Sequence, residues 1–293
     1  MDTISDLPDE IIIKILSFLS IDEAALTSIL SKRWRDLFAF TPNLHLYRSN
    51  RTQCLSNFMD FVERVLAVSG NYAIRSFTLN CGDDVGSAHI DRWVRNVVKR
   101  GGVLDLHLGV FPQHDSLVFE VFACETLVTL TLDGFKIPRL PEDVSLQIGW
   151  EFRKLSHFLS CPTLKRLTTF SYYDDLLGNI SFDYPKLVYL EYSSHLQLQY
   201  PLVNLDSLVE AKLKLSTRVG VSYPASYNPS NLLKGLRNVK ILDLYSPTTV
   251  KIFEKFHEAV PVLSSSRVPC AAIMNPNMFA QASRKVLVYC HLL

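Results

Sequence analysis

The chain has 293 residues, 48% hydrophobic and 20% charged, a balance that excludes a disordered or low-complexity polypeptide. Thirty basic side chains against 29 acidic ones leave a formal charge of +1, so the basic footprint needed for non-specific nucleic-acid binding is absent. No run of ~18 apolar residues occurs, and a start carrying Asp2, Asp6, Asp9 and Glu10 is unlike a secretory leader, so a soluble protein of the nucleus and/or cytoplasm is expected, with no nucleic-acid or membrane partner.

From the N-terminus, Leu7-Pro8-Asp9-Glu10 reads as a helix start: proline suits the first helical position, and acids there complement the helix dipole. Ile11, Ile12, Ile15, Leu16 and Leu19 follow at helical spacing and form one wide apolar stripe. Ser20-Ile21-Asp22-Glu23 breaks that helix and caps the next, whose stripe is Ala25, Leu26, Ile29 and Leu30. A third stripe runs through Trp34, Leu37 and Phe38. A segment of ~40 residues cannot bury three such stripes by itself. Their surplus either caps the following domain or meets another chain.

Gln53–Ser69 places Phe58, Phe61, Val62, Val65 and Leu66 on one helical face and stops at Gly70. His89–Arg100 does the same with Ile90, Trp93, Val94 and Val97 before Gly101-Gly102. A shorter helical pattern, Phe152, Leu155, Phe158 and Leu159, comes later. Between these runs a Leu-x-x-Leu-x-Leu frame recurs, starting at Ile74, Val103, Leu127, Leu164, Leu187, Leu208 and Val239, at intervals of 29, 24, 37, 23, 21 and 31 residues. The intervals straddle the ~20–29 residues of leucine-rich repeats. Each frame reads as a short strand with alternate residues turned inward, and no single repeat can bury its face alone. An ordinary α/β sheet with short strands is the other arrangement consistent with the pattern.

The residues between the frame leucines face outward, and they change from small polar groups in the early frames to aromatic and charged ones in the later frames. Tyr189, Glu191, Lys212, Lys214 and Tyr245 are the candidate substrate-binding residues, because aromatic anchors flanked by charges suit a protein segment. A plain solvated strand surface is the alternative. No nucleophile elbow, phosphate loop or dinucleotide fingerprint is present, and the eight histidines form no His-Glu-x-x-His pair. The six cysteines (54, 81, 124, 161, 270, 290) lack zinc spacing and read as small buried hydrophobes. No catalytic residue, metal or cofactor is therefore expected.

Leu7 to Leu19, followed by Ala24-Ala25-Leu26-Thr27-Ser28-Ile29-Leu30-Ser31-Lys32-Arg33-Trp34, resembles an F-box, most closely that of the plant F-box/leucine-rich-repeat group. Ser20 stands where members often have proline. Cys124-Glu125-Thr126-Leu127-Val128-Thr129-Leu130 and His257 to Val262 resemble later stretches of the same proteins. The resemblance implies an α/β chain in which a three-helix F-box over 1–48 precedes an irregular leucine-rich-repeat solenoid over 49–262. The tail over 263–293 does not look like the FBD domain with which relatives often continue, and Gln147–Glu151 stands where another repeat is usual, as in an altered or truncated variant.

That family implies a non-enzymatic substrate-recognition subunit of an SCF-type ubiquitin ligase. It would dock to a Skp-type adaptor, and through it to a cullin–RING scaffold, and would recruit an unidentified protein substrate. Leu7, Pro8, Ile11, Ile15, Leu16, Ser28, Lys32, Arg33 and Trp34 match the motif as adaptor-facing positions. A leucine-rich-repeat interaction module without a ligase role is the alternative.

Overall fold

The computed structural model describes residues 7–19, 21–31, 33–34, 37–48, 55–70, 72–82, 84–114, 121–122, 124–135, 161–171, 179–217, 227–261, 263–267 and 286–289. Gln147–Glu151, the helix expected around Phe152–Leu159, most of the C-terminal tail and Cys54, Cys270 and Cys290 lie outside these residues. The chain divides into two compact units, 1–111 and 112–293.

The first unit opens with α1 (Asp9–Leu16), whose first turn closes on Pro8 as the Ile11 and Ile12 amides donate to the Pro8 carbonyl at 3.0 and 3.1 Å. α2 (Ile21–Leu26) runs into a 3-10 turn at Thr27–Ile29. Among the described residues the expected third helix takes the form of turns. Trp34 sits in a turn, and a 3-10 segment covers Leu37–Phe40. Pro42 keeps Thr41 out of the α region, and the Thr41 hydroxyl donates to the Phe38 carbonyl at 3.0 Å, ending the turn. Ile12, Leu16, Ile21, Ala24, Trp34 and Phe38 are buried. Phe38 stacks on Phe61 at 6.4 Å, tying this segment to the next helix.

β1 (Asn43–Tyr47), β2 (Ser76–Cys81) and β3 (Asp105–His114) follow as parallel strands, with α3 (Leu55–Val68) and α4 (Ser87–Lys99) as crossovers. Both helices end as the sequence predicts, Gly70 at φ 53° and Gly101 at φ 74° taking the left-handed conformation that a side chain would resist. Phe58, Val62 and Val65 on α3 and Ile90, Trp93, Val94 and Val97 on α4 are buried, and Phe58 meets Trp93 edge-on at 6.4 Å. Arg100 ties the two helices, donating to the Ser69 hydroxyl at 2.7 Å and the Leu66 carbonyl at 2.6 Å.

In the second unit β4 (Thr129–Phe135), β5 (Arg166–Phe170), β7 (Tyr189–His195), β9 (Glu210–Ser216), β10 (Ile241–Leu244), β11 (Leu263–Arg267) and β12 (Val286–Tyr289) lie side by side in that order, all parallel. β6 (Phe182–Asp183) and β8 (Val203–Asn204) form a separate two-stranded pair, and α5 (Ser230–Gly235) and α6 (Pro247–Lys255) complete the unit. The strand-plus-helix repeat expected from sequence holds only in part. The 23- and 21-residue intervals that separate β5, β7 and β9 hold the short strands β6 and β8, while the 31-residue interval after β9 admits α5.

The register converts the frames into stacked rows. Leu130, Leu167, Leu190, Ala211 and Leu242 are mutual partners on successive strands, and Leu132, Thr169, Tyr192, Leu213 and Leu244 form the next row. All ten are buried. The first frame position supplies a third row, Leu127, Leu164, Leu187, Leu208 and Val239, equally buried. Each register offset equals the interval between frames, 29 residues from Ser76 to Asp105 and 37, 23, 21 and 31 along the second unit. Leu190→Ala is expected to cost about 2–5 kcal/mol in urea unfolding, as a cavity in the middle of a row should. Val188→Ala, on the exposed side of the same strand entry, should stay within about 0.5 kcal/mol.

Candidate functional site

Two surfaces carry residues singled out by the sequence. The first is the N-terminal segment. Ile11, Ile15, Phe18 and Leu19 project from α1 and its end, and Leu26, Ile29 and Leu30 from α2 and the turn after it. These are seven of the twelve exposed large apolar side chains among the described residues, within a stretch of twenty. Phe18 is 77% exposed and Ile29 82%, so nothing among the described residues covers them. Lys14 lies 5.1 Å from the Phe18 ring centre, and an Asp9–Arg33 ion pair at 2.6 Å clips the start of α1 to the Trp34 turn.

The nine adaptor-facing positions divide accordingly. Pro8, Ile11, Ile15 and Arg33 are exposed and Leu7 is half-buried, whereas Leu16 and Trp34 are 1% and 4% exposed. Leu16 and Trp34 therefore pack the segment's own core, and they support the surface from beneath. Lys32 and the Ser28 side chain lie outside the described residues. Phe18, Leu26 and Ile29 were missed as surface candidates. Phe18 was legible at helical spacing from Ile11 and Ile15, and Leu26 and Ile29 were read as part of a stripe.

The second surface is the outward face of β5, β7, β9 and β10. Tyr189 opposes Arg166 on one side and Glu210 on the other, and Glu191 opposes Lys212, which opposes Asp243. The Tyr189 hydroxyl donates to Glu191 Oε2 at 2.7 Å. The Arg166 guanidinium carbon lies 4.0 Å from the Tyr189 ring centre, and Lys212 Nζ lies 5.6 Å from it. Tyr189, Glu191 and Lys212 thus form one cluster. Tyr189 was expected as an open aromatic anchor, but Arg166 and Lys212 cover it and leave it 6% exposed. Lys214 is exposed, and Tyr245, just past β10, is 48% exposed.

The electrostatics follow from this packing. Burial, reinforced by the hydrogen bond to Glu191 and that carboxylate's charge, pushes the Tyr189 phenol up to about 12. Burial alone would lower the Lys212 ammonium; the hydrogen bond to Tyr189, with Tyr189, Tyr245 and Glu191 nearby, outweighs it and raises its pKa. Arg166 is legible in the sequence as an outward frame position but is not among the candidate substrate-binding residues; the register is what sets it against Tyr189.

Elsewhere the described residues show little chemistry. Cys81, Cys124 and Cys161 are buried free thiols, and burial pushes Cys81 up to about 12 and raises Cys161, the reverse of what a nucleophile needs. His45 bonds Thr78 at 2.9 Å across β1 and β2, and burial lowers its pKa. Among the described residues no group of three or more His, Cys, Asp or Glu is placed to hold a metal, and no helix is long and apolar enough to cross a membrane.

Residues 4–44 match the F-box domain family. Over longer spans the chain is similar to F-box/LRR-repeat proteins of Arabidopsis thaliana. One is 38% identical over 90% of this chain and 53% of its own length; a second is 37% identical, covering 89% and 71%; a third is 35% identical, covering 90% and 83%. A putative F-box/FBD/LRR-repeat protein of the same plant is 37% identical over 84% of this chain and 58% of its own length. The chain thus spans about half the length of the first of these relatives and larger shares of the second and third.

Tyr189→Phe removes the hydroxyl that donates to Glu191 and helps raise the Lys212 pKa, and keeps the ring. The Lys212 pKa is expected to fall, since burial then acts with less opposition; a titration of the lysine side-chain resonances checks this. An unmoved Lys212 would mean that Tyr189 does not hold the ammonium.

Proposed function

The chain belongs to the F-box/LRR-repeat family, and on that premise we propose that it is the substrate-recognition subunit of an SCF-type ubiquitin ligase. In this reading the N-terminal segment docks on a Skp-type adaptor, which links it to a cullin–RING scaffold. The frames over 49–262 form a leucine-rich-repeat solenoid, whose outward strand face recruits a protein target. The chain performs no chemistry itself: it supplies proximity, holding a target lysine near a conjugating enzyme carried by the scaffold. The nucleus and/or cytoplasm, where such ligases meet their targets, is the proposed location.

The observation that carries this reading is the exposed apolar cluster over Ile11–Leu30. A chain that can bury Ile12, Leu16, Ile21 and Trp34 in the same segment has the means to hide apolar groups, yet it leaves seven outside. Burying each against a partner contributes roughly 1.5–3 kcal/mol before the costs of association. The family match over 4–44 says which kind of partner to test first.

Ile11→Ser, Ile15→Ser and Phe18→Ser together should abolish co-purification of a Skp-type adaptor and leave the thermal midpoint nearly unchanged, because all three side chains are already exposed. Trp34→Ala is a poor probe on its own, since it removes a buried side chain and unfolds the segment that presents the surface. Retained adaptor binding in the folded triple variant would move docking off this apolar cluster, and failure of the unaltered chain to bind any Skp-type adaptor would leave the plain interaction module as the better account.

A further inference from the structure

The cluster around Tyr189 brings two like charges to one ring. Arg166 and Lys212 both lie over Tyr189, at 4.0 and 5.6 Å from its centre, so their charges are no further apart than the sum of those distances. Glu191, the nearest acid, already accepts the Tyr189 hydroxyl at 2.7 Å. Glu210 and Asp243 share the face, but no ion pair within 4.0 Å joins either of them to Arg166, Lys212 or Lys214 among the described residues. Placing two cations together without a bridging anion costs Coulomb energy in a partly buried setting. Arg166 is exposed and Lys212 half-exposed, so solvent reaches both. Lys214 adds a third exposed cation, two residues beyond Lys212 on the same strand face, and Tyr245 adds a half-exposed ring with a hydroxyl.

We propose that this face reads an anionic side chain of the target protein, a carboxylate or a phosphate ester, seated between Arg166 and Lys212 above Tyr189. The inference rests on the recruiting role proposed above and names the chemistry that the recruited segment presents. The planar guanidinium takes the anion through paired N–H donors, and the ammonium takes it as a point charge. The apolar part of the segment lies along Tyr245. Nucleic acid is the poorer ligand, because Glu191, Glu210 and Asp243 interleave with the cations and repel a continuous phosphate backbone. Charge on the platform persists between about pH 6 and 9, since Lys212 is held above its ordinary range and Tyr189 near 12.

The test uses the full chain co-purified with a Skp-type adaptor and immobilised. Four pools of short peptides, randomised except for a central Glu, phosphoserine, Gln or Lys, are passed over it. The Glu or phosphoserine pool should be retained about tenfold over the Gln and Lys pools, and the advantage should shrink as salt rises. Which of the two is favoured identifies the source of the anion. Arg166→Gln with Lys212→Gln should erase the preference, while Lys186→Gln, an exposed lysine in the turn before β7, should keep it.

Adaptor retention and the unfolding midpoint of each variant show that it is folded; if the double variant does not fold, the single Arg166→Gln variant should still reduce the preference. Equal retention of the four pools, preference for Lys, or a preference that survives the double substitution would overturn the proposal. Those results with the adaptor still bound leave the ligase reading standing. Loss of the adaptor with the acidic preference intact supports the proposal and sinks only the ligase reading.

Discussion

Six of the parallel strands, β2, β3, β5, β7, β9 and β10, are each set by one carbonyl just before the neighbouring strand. Pro42 accepts the amides of Arg75 and Ser76, Arg75 those of Leu104 and Asp105, Val128 those of Lys165 and Arg166, and Lys165 those of Val188 and Tyr189, all between 2.8 and 3.1 Å. Val188 and Val209 repeat the arrangement for the next two strands. In the frames that acceptor is the second position, directly after the first apolar residue. Because the side-chain period of a strand is two, a slip of one residue would turn every buried leucine to solvent and every charged residue inward. The buried rows, the outward cluster at Tyr189 and the match between register offset and frame interval all depend on this repeated bond.

That dependence explains what could be read from the sequence. The apolar positions of each frame are side-chain facts, so the strands containing Leu79, Leu108, Leu130, Leu190, Leu213 and Leu244 were legible, as were α3 and α4 from their periodic faces and terminal glycines. The acceptor position is a backbone fact, filled by Pro, Arg, Val or Lys without preference, and it leaves no trace in composition. β1 lacks a full frame. β6 and β8 are two residues each, too short for any periodicity to accumulate. The frame pattern places Arg166 on the outward face, but its partner Tyr189, 23 positions away, is set by pairing that no local pattern encodes.

The N-terminal segment meets a harder constraint than the sheets do. It has few residues with which to make a core, and it spends Ile12, Leu16, Ile21, Ala24, Trp34 and Phe38 on holding α1, α2 and the 3-10 turn together. The apolar stripe read from the sequence was therefore two surfaces. Ile12 and Leu16, four apart, point inward; Ile11 and Ile15, one step round the same helix, point outward. Periodicity reports the combined width of an apolar stripe, while only packing divides it between the chain's own core and a partner. Trp34 and Leu16, matched to the F-box by motif, fall on the inner side and give α1 its seat.

The Tyr189 cluster shows the same division carried out in polar chemistry. A tyrosine in an outward strand position would ordinarily offer its ring to a ligand, but here Arg166 and Lys212 close over it, and its hydroxyl is committed to Glu191. What reaches solvent is the guanidinium and ammonium that the ring holds in place. Long flexible cations lose rotamer freedom when they bind, and a side chain already stacked or hydrogen-bonded has lost part of it beforehand. Tyr189 is thereby a support for the two cations, and what the face presents is electrostatic. The register makes this possible, because only strands paired in this offset put Arg166 against Tyr189 and Lys212 beside Glu191. The leucine rows beneath and the charged platform above are two consequences of one backbone alignment, so a change that shifts a strand disturbs the platform even where no outward residue is altered.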